Sequence, residues 1–505
     1  MNKIVCLMSA FVLLTGTFSC SEKKDSKTSS IPAVSEPVTE DGAVPEPVVS
    51  EFREFSAEEF NTINVNTEIT DSPLPLVSRS FMASDLDLGE RIPPCKDEKY
   101  RDRYIESVTG RINPNDGYVY DMDEIIRGWE ESLTEPEEGE IRDIWAEGPV
   151  AYLYVIYDGM CSECHECSIY RYNVDTDELT EIFRHSDGDN GFDIMEIRTL
   201  NGEIFVNTAE DGIFRLDESS GQLEQILEGS GQKYSDNILI NDEGRLIVRR
   251  IINDTETVDK DYKPQQGEVI YSDDKGIHYK HVGSNLSMSE YDFSAGTWNE
   301  IYSACESSDN SSESWGTKAY PDVCGELFSY KEKPDDSRKY DLVTDEYRLH
   351  TGLTNFSTVY AGRDRVILSV TNGTYAGSTS NKLHVFDFAE MQHYVLDITN
   401  YGSMCCALDD GVLVYSGGNT GKAYYIMPEL GLTFPVDRIG ADEAGSDVGY
   451  ISYGNMYNSN RESVIFMTSY GTGGTETTDE YGNSYYIYTD NEVVYYWYTA
   501  EEKDE

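Results

Sequence analysis

The densest group of chemically competent side chains is the run Cys161-Ser162-Glu163-Cys164-His165-Glu166-Cys167. Three thiols and an imidazole are zinc ligands by type, but structural zinc sites usually draw on two ligand pairs well separated in sequence. Outside the cytoplasm, a disulfide across such a loop is the simpler chemistry. The run stays open between a disulfide among Cys161, Cys164 and Cys167, a metal site and free thiols; the disulfide is preferred and no metal is assigned. A thioredoxin-type redox role does not fit, because that C-x-x-C opens a helix after a strand. Residues Asp187-Gly188-Asp189-Asn190-Gly191 begin like a calcium loop, but Phe192 occupies the required glycine position and Arg198 the bidentate glutamate position. Cys405-Cys406 reads as strand packing, since neighbours in a strand face opposite ways. There is no G-x-S-x-G, no H-E-x-x-H and no phosphate loop, Gly421-Lys422 being followed by Ala423. No catalytic residue and no cofactor is therefore assigned.

The elements that would carry any site come from an internal repeat. A strand, an acidic or glycine-containing turn and a second strand recur at 169–183, 213–227, 288–302, 338–350 and 383–398, with looser copies at 423–436 and 485–498. A second hairpin with a strongly apolar strand precedes each copy, as in GPVAYLYVIYDG (148–159) and DDGVLVYSG (409–417). Two hairpins in series make a four-stranded antiparallel sheet, one propeller blade. The expectation is an all-β chain over 141–499, a seven-bladed β-propeller. Residues 253–287 hold an extra strand pair, so eight blades, or seven with an insertion, both stand. The pattern resembles the TolB-like and WD40-like propellers in repeat shape, without Trp-Asp dipeptides at the blade ends. Residues 51–140 carry no blade pattern and are expected to be irregular, with a short amphipathic helix at Asp121–Leu133; the region would pack on the propeller or supply a strand that closes the ring.

The first twenty residues have Lys3, an apolar run from Ile4 to Leu14 and then Ser19-Cys20. That run is too short for a membrane helix and has the layout of a secretory signal. The ending resembles the lipobox of bacterial lipoproteins, although Thr17 stands where leucine is preferred. The resemblance implies lipid attachment at Cys20, placing the chain on the outer face of a bacterial membrane. Residues 21–50, rich in Ser, Pro, Glu and Thr, read as a disordered tether. With 94 acidic residues against 39 basic ones the net charge is −55, which disfavours nucleic acid and anionic lipid as partners. Cys305 and Cys324 bracket one Ser-rich loop and form the best single disulfide candidate.

In a propeller the loops between second and third strands share one face with the connections between blades. The long segments fall there, and they are rich in Gly, Thr, Ser, Asn, Asp and Tyr. Tyr262, Tyr375, Asn419, Tyr470, Thr475, Asp479 and Tyr481 are the binding-face candidates. The expected role is a binding or scaffold module for a protein or glycan, held to the membrane only by its lipid. A carbohydrate- or peptide-active propeller enzyme and an envelope-assembly lipoprotein are the alternatives.

Overall fold

The computed structural model describes residues 52–89, 126–127, 139–157, 166–185, 194–259, 262–263, 270–272, 277–307, 321–334, 338–373, 379–415, 422–436, 448–460, 463–472, 475–478, 484–487 and 490–500. Seven antiparallel sheets follow one another in chain order, each a blade numbered here from one to seven. The second strand of a blade is sandwiched between neighbouring blades. Such strands read as unbroken apolar runs, and Val150–Ile156, Glu203–Thr208 and Gly411–Tyr415 are buried almost throughout. The outermost strand is half exposed, and Gln222–Glu228 accordingly mixes Leu223, Ile226 and Leu227 with Glu and Gln.

The turns explain the acidic signal of the repeat. Asp217 accepts hydrogen bonds from the Ser219 amide and hydroxyl and from the Ser220 hydroxyl, at 2.7–2.9 Å. Asp292 does the same for Ser294 and Ala295, and Asp387 for the Glu390 amide at 2.9 Å. A carboxylate at the end of the third strand thus folds the chain back into the fourth. In the second blade Asn201-Gly202 forms the hairpin turn between first and second strands, with both φ angles positive at 55° and 75°.

The third blade settles the count. Strand Ile270–Ser272 pairs with the long third strand His278–Asp292, so the extra residues are an insertion into a seven-bladed ring. The last copy needs a correction. Ser484–Ile487 pairs with Thr475–Thr478 in a separate hairpin, and Asp490–Ala500 is the third strand of blade seven. Its fourth strand comes from the other end of the chain.

That strand belongs to a strap that the repeat pattern leaves out: β1 (Arg53–Ser56), β2 (Asn61–Val65), β3 (Glu68–Ile69) and β4 (Leu76–Met82). β1, β2 and β3 add in parallel to the outermost strands of blades four, five and six. β4 then pairs antiparallel with Asp490–Ala500 and completes blade seven. The region expected to be irregular is therefore partly a structural member of the ring. Of the expected helix only residues 126–127 are described, and they are helical.

Side chains fix the strap. Phe55 stacks on Phe388 at 4.5 Å between centroids, and Phe60 meets Phe386 edge-on at 5.3 Å. Gly431 must be glycine twice over: its φ is +65°, and a Cβ there would lie 2.9 Å from Val65 Cγ1 of the strap. Phe81 of β4 stacks on Tyr495 at 5.0 Å and touches Tyr172 of blade one at 5.1 Å. Beyond β4, the Leu88 carbonyl lies 2.7 Å from the hydroxyls of both Tyr157 and Tyr170 in blade one.

One junction of strap and blade is sensitive to acid. In blade five His384 Nδ1 lies 3.0 Å from His393 Nε2, and the Thr62 hydroxyl of β2 lies 3.3 Å from His393 Nδ1. Burial pushes both imidazoles down to about 4, the neighbouring ring adding to the effect on His384. In the unfolded chain each would titrate near 6.5 and take up protons first. Stability at this junction is therefore complete above pH 6.5 and is lost as pH falls toward 4. The urea midpoint should drop across that window, and a His384→Leu variant should show a smaller drop; an equal drop in both would remove the pair as the cause.

Candidate functional site

The innermost strands wall the axis of the ring. In blades one and two they are Glu140–Glu147 and Ile194–Leu200, and Asp143, Glu196 and Arg198 stand among their residues. These three charges sit at the seams between blades one, two and three. The Arg198 guanidinium lies over the Trp145 ring, 4.4 Å from its centroid, and donates to Glu196 Oε1 at 3.2 Å and the Ile197 carbonyl at 2.8 Å. Asp143 Oδ2 is 4.0 Å from Arg198. The Trp145 indole N–H donates to Thr199 Oγ1 at 2.7 Å, and Glu196 Oε2 accepts the Ile238 amide of blade three at 2.7 Å.

Trp145 and Arg198 form one wall of an axial cavity of about 220 Å³. The remaining wall is drawn from blades three to six: Ile238 to Ile240, Asp242, Val323 to Gly325, Thr358, Val359 and Cys405 to Ala407. Six blades thus contribute to one chamber of mixed polar and apolar lining, with a guanidinium on an indole, Asp242 and Thr358 among its polar features. Pockets for drug-sized ligands run about 300–1,000 Å³. This chamber has room for one sugar ring or one large side chain.

The electrostatics of the wall are set by burial. Desolvation raises the Asp143 carboxyl to about 6 against the opposing pull of Arg198, so it titrates close to neutrality. Burial also raises the thiols, Cys324 well above its ordinary range with Asp322 adding to the effect, Cys405 to about 11 and Cys406 to about 12. They are protonated at neutral pH and are poor nucleophiles. Among the described residues no group of three metal-ligating side chains converges.

The residues singled out from sequence are scattered by comparison. Cys324 carries a free thiol beside the axial cavity, so the expected bridge to Cys305 is not made. Cys324 follows the innermost strand of blade four, whereas Cys305 lies in the outermost strand of blade three. Cys167 is buried at the start of Cys167–Asn173, while Cys161 and Cys164 lie outside the described residues. Tyr262 has the Lys280 ammonium 5.9 Å from its ring centroid. Tyr470 and Thr475 fall in strands Ser463–Thr472 and Thr475–Thr478; Tyr375, Asn419, Asp479, Tyr481 and Cys20 lie outside the described residues.

Strand order does place the long segments together. Those between second and third strands and those between blades lie at one end, and the turns at the other end are short. The axial cavity reaches toward that short-turn end, where Asp242 and Gly325 stand in turns between first and second strands. Asp143, Trp145 and Arg198 were not singled out from sequence. Charged residues recur in both innermost strands, as Glu140, Arg142 and Glu147 do beside Asp143, so nothing local marks these three.

No family model matches the chain, and no curated protein does. Solved structures similar in fold include the acylaminoacyl peptidase of Pyrococcus horikoshii, with 13% identity, a TM-score of 0.41 and coverage of 70% of this chain and 52% of that one. The β-propeller domain of the Trilobed protease from Pyrococcus furiosus has 12% identity, a TM-score of 0.40 and coverage of 70% and 99%. Oligogalacturonate lyase from Vibrio parahaemolyticus has 11% identity, a TM-score of 0.38 and coverage of 72% and 91%. The chain spans about half the length of the acylaminoacyl peptidase it matches. The likeness is one of fold.

Because the folded Asp143 holds its proton to a higher pH than the unfolded one, it costs stability as pH rises from about 4 through 6. Asp143→Asn should match the parent at pH 4 and exceed it at pH 7 in thermal melting. A variant less stable at pH 7 than at pH 4, relative to the parent, would show that the Arg198 contact outweighs desolvation.

Proposed function

We propose that this chain is a lipid-anchored, extracytoplasmic binding propeller that takes one group of a protein or glycan ligand into its axial cavity. The carrying observation is the chamber itself, with Arg198 laid on Trp145 in a wall built from six blades. The indole beneath holds the guanidinium flat, and a guanidinium suits a carboxylate or hydroxyl on a sugar or an acidic side chain. The chamber is too small for more than one such unit, so the rest of the ligand would lie on the propeller ends. Anchoring rests on the Ser19-Cys20 ending of the signal-like segment. Among the described residues no helix is long and apolar enough to cross a membrane.

A second reading, a carbohydrate- or peptide-active enzyme, has one observation in its favour. Asp143, whose carboxyl burial raises to about 6, lies 4.0 Å from Arg198, itself a lining residue of the cavity. Against it, the wall thiols are protonated and no pair of carboxylates faces the chamber.

Screening the purified full chain on a glycan array and a peptide library should give a ligand whose affinity falls at least tenfold in Thr358→Phe, which fills the chamber, and in Arg198→Met. Equal binding by both variants would remove the axial cavity as the site. Ligand turnover that disappears in Asp143→Asn with binding intact would favour the enzyme. Labelling expressing bacteria with palmitate should mark the parent chain and not Cys20→Ser; label on both would refute attachment at Cys20.

A further inference from the structure

We infer that the axial chamber selects a ligand group bearing a carboxylate, and that Asp143 takes up one proton as that group binds. The inference rests on the chamber being the ligand site; it adds which chemistry the site accepts and what accompanies binding. It starts from a count of charges. Arg198 is the one cation among the lining residues, and Asp242 is the one carboxylate. Two further carboxylates, Asp143 and Glu196, stand beside the same guanidinium. With both ionised, Arg198 and its two partners carry one negative charge in excess. Arg198 donates to the Ile197 carbonyl and to Glu196, and Trp145 supports its face. Its remaining N–H groups make no hydrogen bond among the described residues, and its side chain is 19% exposed, within reach of a group in the chamber.

The two carboxylates are held unequally. Glu196 Oε1 accepts from the guanidinium at 3.2 Å, while its Oε2 accepts the Ile238 amide at 2.7 Å and Asn207 Nδ2 at 3.4 Å. Asp143 Oδ2 stands off from Arg198 at 4.0 Å, and its Oδ1 accepts the neighbouring Ile144 amide at 2.9 Å. Asp143 is therefore the partner that gives way to an incoming anion. Burial already raises its carboxyl to about 6. A ligand carboxylate on Arg198 would add a like charge nearby and draw on the guanidinium's attraction, and both effects favour the protonated form further.

At neutral pH the exchange is one ligand anion in and one proton from solvent onto Asp143, which leaves the charge of the site unchanged. The other groups around Asp143 do not do this work. Tyr154 stands opposite it on the next strand, and Arg142 on its own strand lies 3.8 Å from Glu140. In blade seven the described side chains Ser463 to Thr468 are uncharged. The chamber thiols Cys324, Cys405 and Cys406 are protonated at neutral pH and contribute no charge. A neutral ligand group would meet the same donors with no uptake of a proton, so the linkage separates the two kinds of ligand.

Titration calorimetry of the full chain with glucuronate, a carboxylate on one sugar ring, provides the test, with glucuronamide as its neutral counterpart. N-acetylglutamate methylamide offers the same carboxylate on a side chain, and the tighter of the two acids identifies the carrier. The affinity of that acid should fall at least tenfold from pH 5.5 to pH 8. Titrations at pH 7 in buffers of different ionisation enthalpy should show close to one proton taken up per ligand, a readout that needs no variant. Asp143→Asn should bind the acid at pH 8 as tightly as the parent does at pH 5.5, with no proton uptake. Glucuronamide binding as tightly as glucuronate, acid binding without proton uptake, or equal acid binding by Thr358→Phe would each overturn the inference. So would failure of both acids to bind; a neutral array ligand still lost in Thr358→Phe would then leave the chamber standing as the site.

Discussion

Closure of the ring rests on one ladder, the pairing of β4 with Asp490–Ala500. Seven residues from Leu76 to Met82 lie in register with seven from Val494 to Ala500. Bringing together positions some 400 residues apart costs about 5 kcal/mol in chain entropy beyond a constant. Leu76 and Phe81 are buried by the contact, and each such side chain contributes about 1.5–3 kcal/mol on burial. The ladder's own hydrogen bonds and the Arg79 pair with Asp175 at 2.7 Å add to this. Without β4, blade seven would have three strands, and Trp497, Tyr495 and Tyr498 would lose their outer neighbour. The strap reaches blade seven after adding one parallel outer strand each to blades four, five and six.

The seams between blades follow from that closure. Each is apolar inside and tied by polar contacts near its inner and outer ends. Arg198 links blades one and two, Glu196 links two and three, and Arg245 joins Glu290 of blade three at 2.9 Å to Asp345 of blade four at 2.8 Å. Arg365 of blade five reaches Glu429 of blade six at 2.7 Å. In a chain with 39 basic residues against 94 acidic ones, many arginines are placed where two blades meet. Such half-buried pairs contribute less to stability than to fixing which blades adjoin, since desolvation offsets much of their attraction.

The repeat was legible because two signals recur locally: the apolar second strand and the carboxylate that caps the turn into the fourth. Asp217, Asp292 and Asp387 carry that second signal, and each binds within three residues of itself. The strap was not legible in the same way. β2, Asn61–Val65, has an exposed face and a partner more than 300 residues away, and nothing local marks it as a strand of blade five. The run 485–498 misled for a related reason: two adjacent strands with a turn between them look like a hairpin even when each pairs elsewhere. The axial site was invisible because no two of its walls lie on one repeat. Asp143 and Arg198 are ordinary strand residues until blades one and two are set side by side.

The two ends of the propeller are unequal, and the strap sharpens the difference. Arg53 donates from its amide to Glu346 and from its guanidinium to Arg363, both in short turns, so the strap joins the ring at the short-turn end. The long segments stand at the opposite end. Among the described residues the outer edges of blades one to three, and of β4 in blade seven, carry no further strand. Blades four to six carry a fifth strand because β1, β2 and β3 run along them before β4 completes blade seven, and the asymmetry of the outer surface follows from that path.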